Sequence, residues 1–253
     1  MNIRDFLRAT DGIRIDSNKW RKRDSRAHSK GDLSMLFEDR FEAGRVLASK
    51  LGEFSGRTDV VVLALPRGGV PVGYEVAQAL RAPFDVFVVR KLGTPGQEEL
   101  AMGALASGGV TVLNREVIQA LGIPQQTIEA VVAREEKELE RREREYRGER
   151  PAVNIRGRTA ILVDDGLATG SSMRVAAKAL RKEAAAEIVV AVPVASPSTC
   201  AEFETEVDRV VCAITPEPFW AVGQWYRDFS QTTDEEVRDL LARAASASLP
   251  RAA

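Results

Sequence analysis

Asp164 and Asp165 stand side by side, and six of the next seven residues, Gly166-Leu167-Ala168-Thr169-Gly170-Ser171-Ser172, are glycine, alanine or hydroxyl-bearing. An ionised carboxylate only accepts hydrogen bonds and repels other anions, so the pair should face hydroxyl groups or a cation. The Thr-Gly-Ser-Ser run has the opposite character. Its hydroxyls and backbone N–H groups, at the start of a helix whose end carries roughly half a positive charge, suit a phosphate. A ribose 5-phosphate meets both demands, with its phosphate on residues 169–172 and its 2′- and 3′-hydroxyls on Asp164 and Asp165. A Walker loop would need a lysine after its last glycine, but Ser171 and Ser172 follow Gly170, which disfavours nucleoside triphosphate hydrolysis.

These residues need a scaffold that aims them at one point. Ala160-Ile161-Leu162-Val163 is an unbroken apolar run of the kind found in a central strand, and a helix is expected over 172–183. In open α/β sheets the carboxyl ends of the strands line the ligand crevice, so the acids and the cradle fall where a ligand binds. Upstream, a helix begins near Met35 with apolar residues at Phe37, Phe41, Val46, Leu47 and Leu51, followed by a strand over 59–65, a helix over 70–80 and a strand over 84–89. Short strands around 102–106 and 110–113 flank a Ser107-Gly108-Gly109 turn. Pro124 then suits the first turn of a long, highly charged helix reaching Tyr146. Glu135 and Arg142 interrupt its coiled-coil seam, so it reads as a solvated helix. Downstream come strands over 188–194 and 207–214, a short helix opened by Ser196-Pro197, and a last helix with Thr233 and Glu236 at capping-box spacing. Strands alternating with helices predict a Rossmann-like parallel sheet flanked by helices.

The segment over 160–172 resembles the signature of the type I phosphoribosyltransferase family: an apolar strand, two adjacent acids and a Thr-Gly-x-Ser/Thr loop. The likeness runs from about Met35 to Glu236 and is to a bacterial branch, so it implies the fold and the donor without naming an acceptor. It implies phosphoribosyl transfer from phosphoribosyl pyrophosphate, with Asp164 and Asp165 catalytic and Ala168, Thr169, Gly170, Ser171 and Ser172 holding the 5-phosphate. It also places a pyrophosphate loop at Leu65-Pro66-Arg67-Gly68-Gly69-Val70. There Pro66, Gly68 and Gly69 bring backbone close to the ligand, Arg67 binds pyrophosphate, and family members often have a cis peptide before the basic residue. Arg90 and Lys91, ending the next strand, are further candidates for pyrophosphate. Residues 93–102 correspond to the family's mobile lid, where Glu99 is a candidate for moving the acceptor's proton. Mg²⁺ is the implied cofactor, held mainly by substrate with Asp164 and Asp165 nearby.

For the acceptor, the aromatic run Pro216-Glu217-Pro218-Phe219-Trp220-Ala221-Val222-Gly223 loosely resembles the hood of hypoxanthine-guanine enzymes, with Phe219 or Trp220 placed to stack on a flat base. Those enzymes have an aspartate where this chain has Ala168, and a lysine that residues 188–195 lack, so ordinary 6-oxopurine salvage is disfavoured. The domain expectation is a basic, poorly packed extension over 1–34 and a phosphoribosyltransferase domain over 35–253, with lid and helical insertion at about 92–150 and hood at about 215–245.

The remaining composition narrows the class. Charge is nearly balanced at −1, and the two cysteines, Cys200 and Cys212, and the single histidine, His28, give no zinc pattern. His28 lies in an Arg- and Lys-rich stretch and is expected at the surface, with Trp20 the one anchor of the extension. No apolar run approaches the roughly 20 residues that span a bilayer, and MNIRDFLRATDGIRID lacks the apolar core of a secretory signal, so a cytoplasmic location without membrane association is expected. The expected partners are the phosphoribosyl donor and a small-molecule acceptor; nucleic acid is disfavoured, and a homodimer is compatible. The basic extension motivates the alternative, a donor- or nucleotide-sensing regulator of the same fold that binds nucleic acid.

Overall fold

Five strands carry the architecture: β1 (Val60–Ala64), β2 (Phe84–Val86), β6 (Thr159–Val163), β7 (Glu187–Val194) and β8 (Arg209–Ile214). All are parallel, in the order β2-β1-β6-β7-β8. The computed structural model describes residues 36–248. The chain divides after Met35 into two units, and all described residues lie in the second. The expectations for the basic extension, Trp20 and His28 lie outside the described residues.

Every residue of β1 and β6 is buried. Each fully buried valine or leucine contributes about 1.5–3 kcal/mol, so these two strands anchor the sheet. One face is covered by α1 (Arg40–Lys50) and α2 (Gly69–Leu80), the other by α5 (Ser171–Lys182) and α6 (Pro197–Phe203). α1 and α2 pack closely because Gly44 has no side chain: a Cβ there would lie 2.8 Å from the Val72 carbonyl. The helix expected from Met35 starts at Arg40, since Asp39 is an extended N-cap whose carboxylate accepts from the Glu42 N–H at 2.8 Å. Phe37 instead pairs with Tyr226.

The stretch over 84–89, expected as one strand, divides. β2 stops at Val86, the Phe87 N–H still bonds the Ala64 carbonyl, and Val88 turns away to bond Ser107, starting a second, antiparallel sheet. That sheet comprises β3 (Val89–Thr94), β4 (Gln97–Ala106) and β5 (Val110–Leu113). The loop expected over 93–102 is therefore largely a hairpin. Pro95 sets the first corner of its turn and Gly96, at φ 79°, the second, while the register shifts beside Gly93 bulge out the strand opposite. Ser107-Gly108-Gly109 is the turn the sequence predicts, with both glycines at positive φ.

Two helices follow. α3 (Arg115–Leu121), capped by Asn114, was not expected; α4 (Gln125–Arg147) begins directly after Pro124. α4 packs Ile128, Val131, Leu139 and Tyr146 against the second sheet and against α7 (Asp234–Ser248). Its buried Glu135 accepts two bonds from Arg90, at 2.6 and 3.0 Å. The residue that breaks the coiled-coil seam thus serves an ion pair. At the helix's end, Arg147 is locked to buried Asp85 and to the Val86 carbonyl. Cys200 of α6 and Cys212 of β8, to which the sequence assigned no partner, form a disulfide. Among the described residues no helix is long and apolar enough to cross a membrane.

Candidate active site

In strand order β2-β1-β6-β7-β8 the chain runs outward from β1 to β2 and later returns on β1's other side as β6. The gap between β1 and β6 is a topological switch point, where open α/β sheets leave a crevice at the carboxyl ends of their strands. Ala64 pairs in register with Val163, and the Leu65 N–H reaches the Val163 carbonyl at 2.9 Å. The loops after β1 and β6 therefore leave the sheet together. They carry the two motifs singled out in the sequence.

Contact between these loops is tight enough to require glycine. A Cβ on Gly68 would fall 2.8 Å from the Asp165 Cγ; one on Gly69 would fall 2.7 Å from the Val163 carbonyl oxygen and 2.9 Å from the Asp164 Cα. The Pro66–Arg67 peptide is cis. Arg67 lines a polar cavity of about 140 Å³ together with Arg141, Arg142, Glu145 and Tyr146 of α4 and with Asp234, whose carboxylate lies 3.7 Å from the guanidinium. Tyr146 donates to Asp234 at 2.9 Å, and burial together with that carboxylate raises its pKa to about 12.

The acid pair is largely sheltered from solvent. Burial, reinforced by the neighbouring Asp165 charge, raises the Asp164 pKa well above the ordinary carboxylate value, although its Oδ1 accepts the Asp165 N–H at 2.8 Å. Burial also raises Asp165, and the Arg40 guanidinium pulls it back down. Among the described residues no group of three or more His, Cys, Asp or Glu side chains is placed to hold a metal ion.

Behind the acids, the loop over 166–170 is braced from below by α6. The Thr199 hydroxyl donates to the Ala168 carbonyl at 2.7 Å, Leu167 bridges to Ala195, and the Phe203 ring lies under Gly170 so closely that a Cβ would meet its Cζ at 2.9 Å. Gly170 also has φ 70°, which favours glycine there. Arg174 donates to the Thr169 carbonyl while Glu202 and Glu206 neutralise it. Thr169 and Ser171 hydroxyls are 3.2 Å apart, and they and Ser172 are exposed at the start of α5, where first-turn N–H groups have no partner within the helix.

Val222 and Tyr226, in the stretch expected as a hood, fold onto this loop. Val222 packs against Gly166, and the Tyr226 hydroxyl donates to the Asp165 carbonyl at 2.5 Å. Burial and the nearby Asp165 charge raise the Tyr226 pKa. Phe219 joins the cluster of Phe37, Val194 and Tyr226, whereas Trp220 is 78% exposed. The other expected site residues are placed differently. Arg90 is committed to Glu135, and Lys91 lies 3.4 Å from Glu99 on the exposed hairpin. Among the described residues no hydrogen bond or ion pair joins Arg90, Lys91 or Glu99 to the two loops. Sequence reading missed Arg40, Thr199, Phe203 and Arg174. The Ser196-Pro197 helix start pointed to Thr199's element, but nothing local marked Arg40, which lies 125 residues from its partner.

A family model described as the phosphoribosyl transferase domain matches residues 37–229. Relatives in two strains of Mycobacterium tuberculosis, whose name of phosphoribosyl transferase is provisional, are 48% identical over 209 residues, covering 83% of this chain and 47% of theirs. The chain thus spans about half the length of those curated relatives. The crystal structure of TT1426 from Thermus thermophilus is 42% identical and superposes with a TM-score of 0.73, over 83% of this chain and 99% of that one. With its switch-point loops and this match over most of its length, the chain belongs to the phosphoribosyl transferase family and has the α/β fold of the type I enzymes.

Proposed function

We propose that the protein is a Mg²⁺-dependent phosphoribosyltransferase that moves phosphoribosyl from phosphoribosyl pyrophosphate to a nitrogenous, nucleobase-like acceptor and releases pyrophosphate. The observation that carries this reading is the joint exit of the acid pair and the Pro66-Arg67-Gly68-Gly69 loop from neighbouring strands, with the phosphate cradle on the same β6 loop. The ribose hydroxyls would bond Asp164 and Asp165, the 5-phosphate would rest on residues 168–172, and Pro66 to Gly69 would receive the pyrophosphate beside Arg67.

The C1′–O bond to pyrophosphate breaks as the acceptor nitrogen bonds C1′, and that nitrogen passes its proton to solvent water. Positive charge develops on the sugar in the transition state, and negative charge on the acid pair would favour it. Arg67 stabilises the leaving pyrophosphate. Mg²⁺, bound mainly through donor oxygens with Asp164 and Asp165 nearby, would supply further charge neutralisation there. Trp220 offers an exposed ring for a flat acceptor. Ala168 in place of an aspartate, and the absence of lysine from β7, point away from 6-oxopurines.

Calorimetry with phosphoribosyl pyrophosphate and Mg²⁺ tests the donor. Binding by the intact protein that disappears in the Asp164→Asn, Asp165→Asn double variant is expected, and no binding by the intact protein refutes the reading. A screen of bases and amines that follows pyrophosphate release then identifies the acceptor.

A further inference from the structure

Arg40 opens α1, far from the acid pair in sequence, yet its guanidinium is committed to it. Nε donates to the Asp165 Oδ2 at 2.9 Å and Nη2 lies 2.8 Å from the same oxygen. Nη1 donates to the Ser230 carbonyl at 2.7 Å, and the centre of the cation lies 4.1 Å from the centroid of the Phe229 ring. The Arg40 side chain is 11% exposed and that of Asp165 15%. One planar cation therefore joins three elements: the first turn of α1, the loop after β6, and hood residues 229–230. Both of its bonds to Asp165 fall on Oδ2, leaving Oδ1 uncommitted to the arginine.

Two adjacent sheltered carboxylates repel each other, and an unclamped Asp165 would turn toward solvent or toward another donor. Lysine cannot reproduce this arrangement, because it lacks the planar fork and stacks less well on an aromatic ring. We propose that Arg40 is a positioning residue for the donor sugar: it fixes the Asp165 carboxylate by Oδ2 so that Oδ1 meets a ribose hydroxyl, and it ties that geometry to the hood through Phe229 and Ser230. The proposal rests on the reading that the acid pair receives the ribose of phosphoribosyl pyrophosphate.

The test compares wild type with Arg40→Lys by calorimetry, using three probes with Mg²⁺: phosphoribosyl pyrophosphate, ribose 5-phosphate and inorganic pyrophosphate. Arg227→Ala, which removes a cation paired with exposed Glu38 at 3.3 Å, serves as control and should match wild type. In Arg40→Lys, affinity for the two sugar-bearing probes is expected to fall about tenfold while pyrophosphate affinity changes by less than about twofold. Loss of all three together means that the arginine only holds the fold, and unchanged affinity for all three means that it does nothing at the site; either overturns the proposal. Should Arg40→Lys not fold, Phe229→Leu removes the stacking ring and leaves the ion pair. It should give the same selective loss at about threefold, and the same two contrary results overturn the proposal. Failure of wild type to bind the donor would instead sink the underlying reading, so the two failures are separable.

Discussion

Gly69→Ala is the sharpest probe of how the two site loops fit together. The new methyl would stand 2.7 Å from the Val163 carbonyl oxygen and 2.9 Å from the Asp164 Cα, short of ordinary contact by roughly 0.5–0.7 Å. Neither atom can yield easily. Both belong to backbone at the end of β6, whose Val163 is fully buried and whose carbonyl already accepts the Leu65 N–H. The start of α2 must therefore retreat and take Arg67 and Gly68 with it. Overpacking of this kind costs about 1–3 kcal/mol, which in a chain of this size lowers Tm by roughly 2–10 °C. A displacement of half an ångström in a ligand-positioning loop costs on the order of tenfold, given that 1 Å costs about a hundredfold. The measurements are a thermal melt and a calorimetric titration with phosphoribosyl pyrophosphate and Mg²⁺. Gly52→Ala is the control, since a Cβ there meets nothing within 4 Å, and it should be neutral or stabilise by a few tenths of a kcal/mol up to about 1 kcal/mol. A folded Gly69→Ala protein with wild-type donor affinity would show that the loop after β1 is not the pyrophosphate site, and an unchanged Tm would refute the packing argument itself.

Two further outcomes follow from the site's surroundings. Because the folded protein raises the pKa of both acids, their ionisation costs stability as pH rises through the raised values, and the cost vanishes as pH falls toward the ordinary carboxylate value of about 4. Asp164→Asn should accordingly raise Tm at pH 8 by about 2–4 °C, for a gain of about 1 kcal/mol, while abolishing donor binding; the stability gain should shrink toward pH 4, and melts across that range check the sign. Cys200→Ser with Cys212→Ser opens a crosslink between residues 12 apart and should cost about 3 kcal/mol, read as a lower Tm that dithiothreitol reproduces in wild type and leaves unaltered in the variant.

The sheet was legible because β1, β6 and β7, apart from Thr159, Glu187 and Pro193, are runs of valine, leucine, isoleucine and alanine, and because glycine and hydroxyl residues punctuate their ends. Residues 84–89 misled for the opposite reason: Phe-Asp-Val-Phe-Val-Val continues past Val86 with no glycine, proline or other turn signal, and only the bonds to Ala64 and Ser107 decide where one sheet ends and the next begins. Residues 93–102 contain turn glycines suited to a loop, yet the Pro95-Gly96 corner lets the flanks pair. In the site, local motifs marked Asp164, Asp165, Gly68, Gly69 and the loop over 168–172. The supporting contacts were hidden because they join distant segments: Arg40 to Asp165, Tyr226 to the Asp165 carbonyl, Thr199 to the Ala168 carbonyl. Periodicity can place α1 and the hood, but cannot show which side chain of either reaches the acids.

The neighbouring positions of β1 and β6 also govern when the site can exist during folding. Their paired residues, from Val60 with Thr159 to Ala64 with Val163, are about a hundred positions apart in the chain. The intervening residues build a separate antiparallel sheet and the long α4, largely from contacts near in sequence. Closing so large a loop slows assembly, although its entropic cost rises only logarithmically with length. The excursion between β2 and β6 can therefore change length at modest thermodynamic cost, whereas the junction of acids and glycines cannot form until the strands before and after it have met.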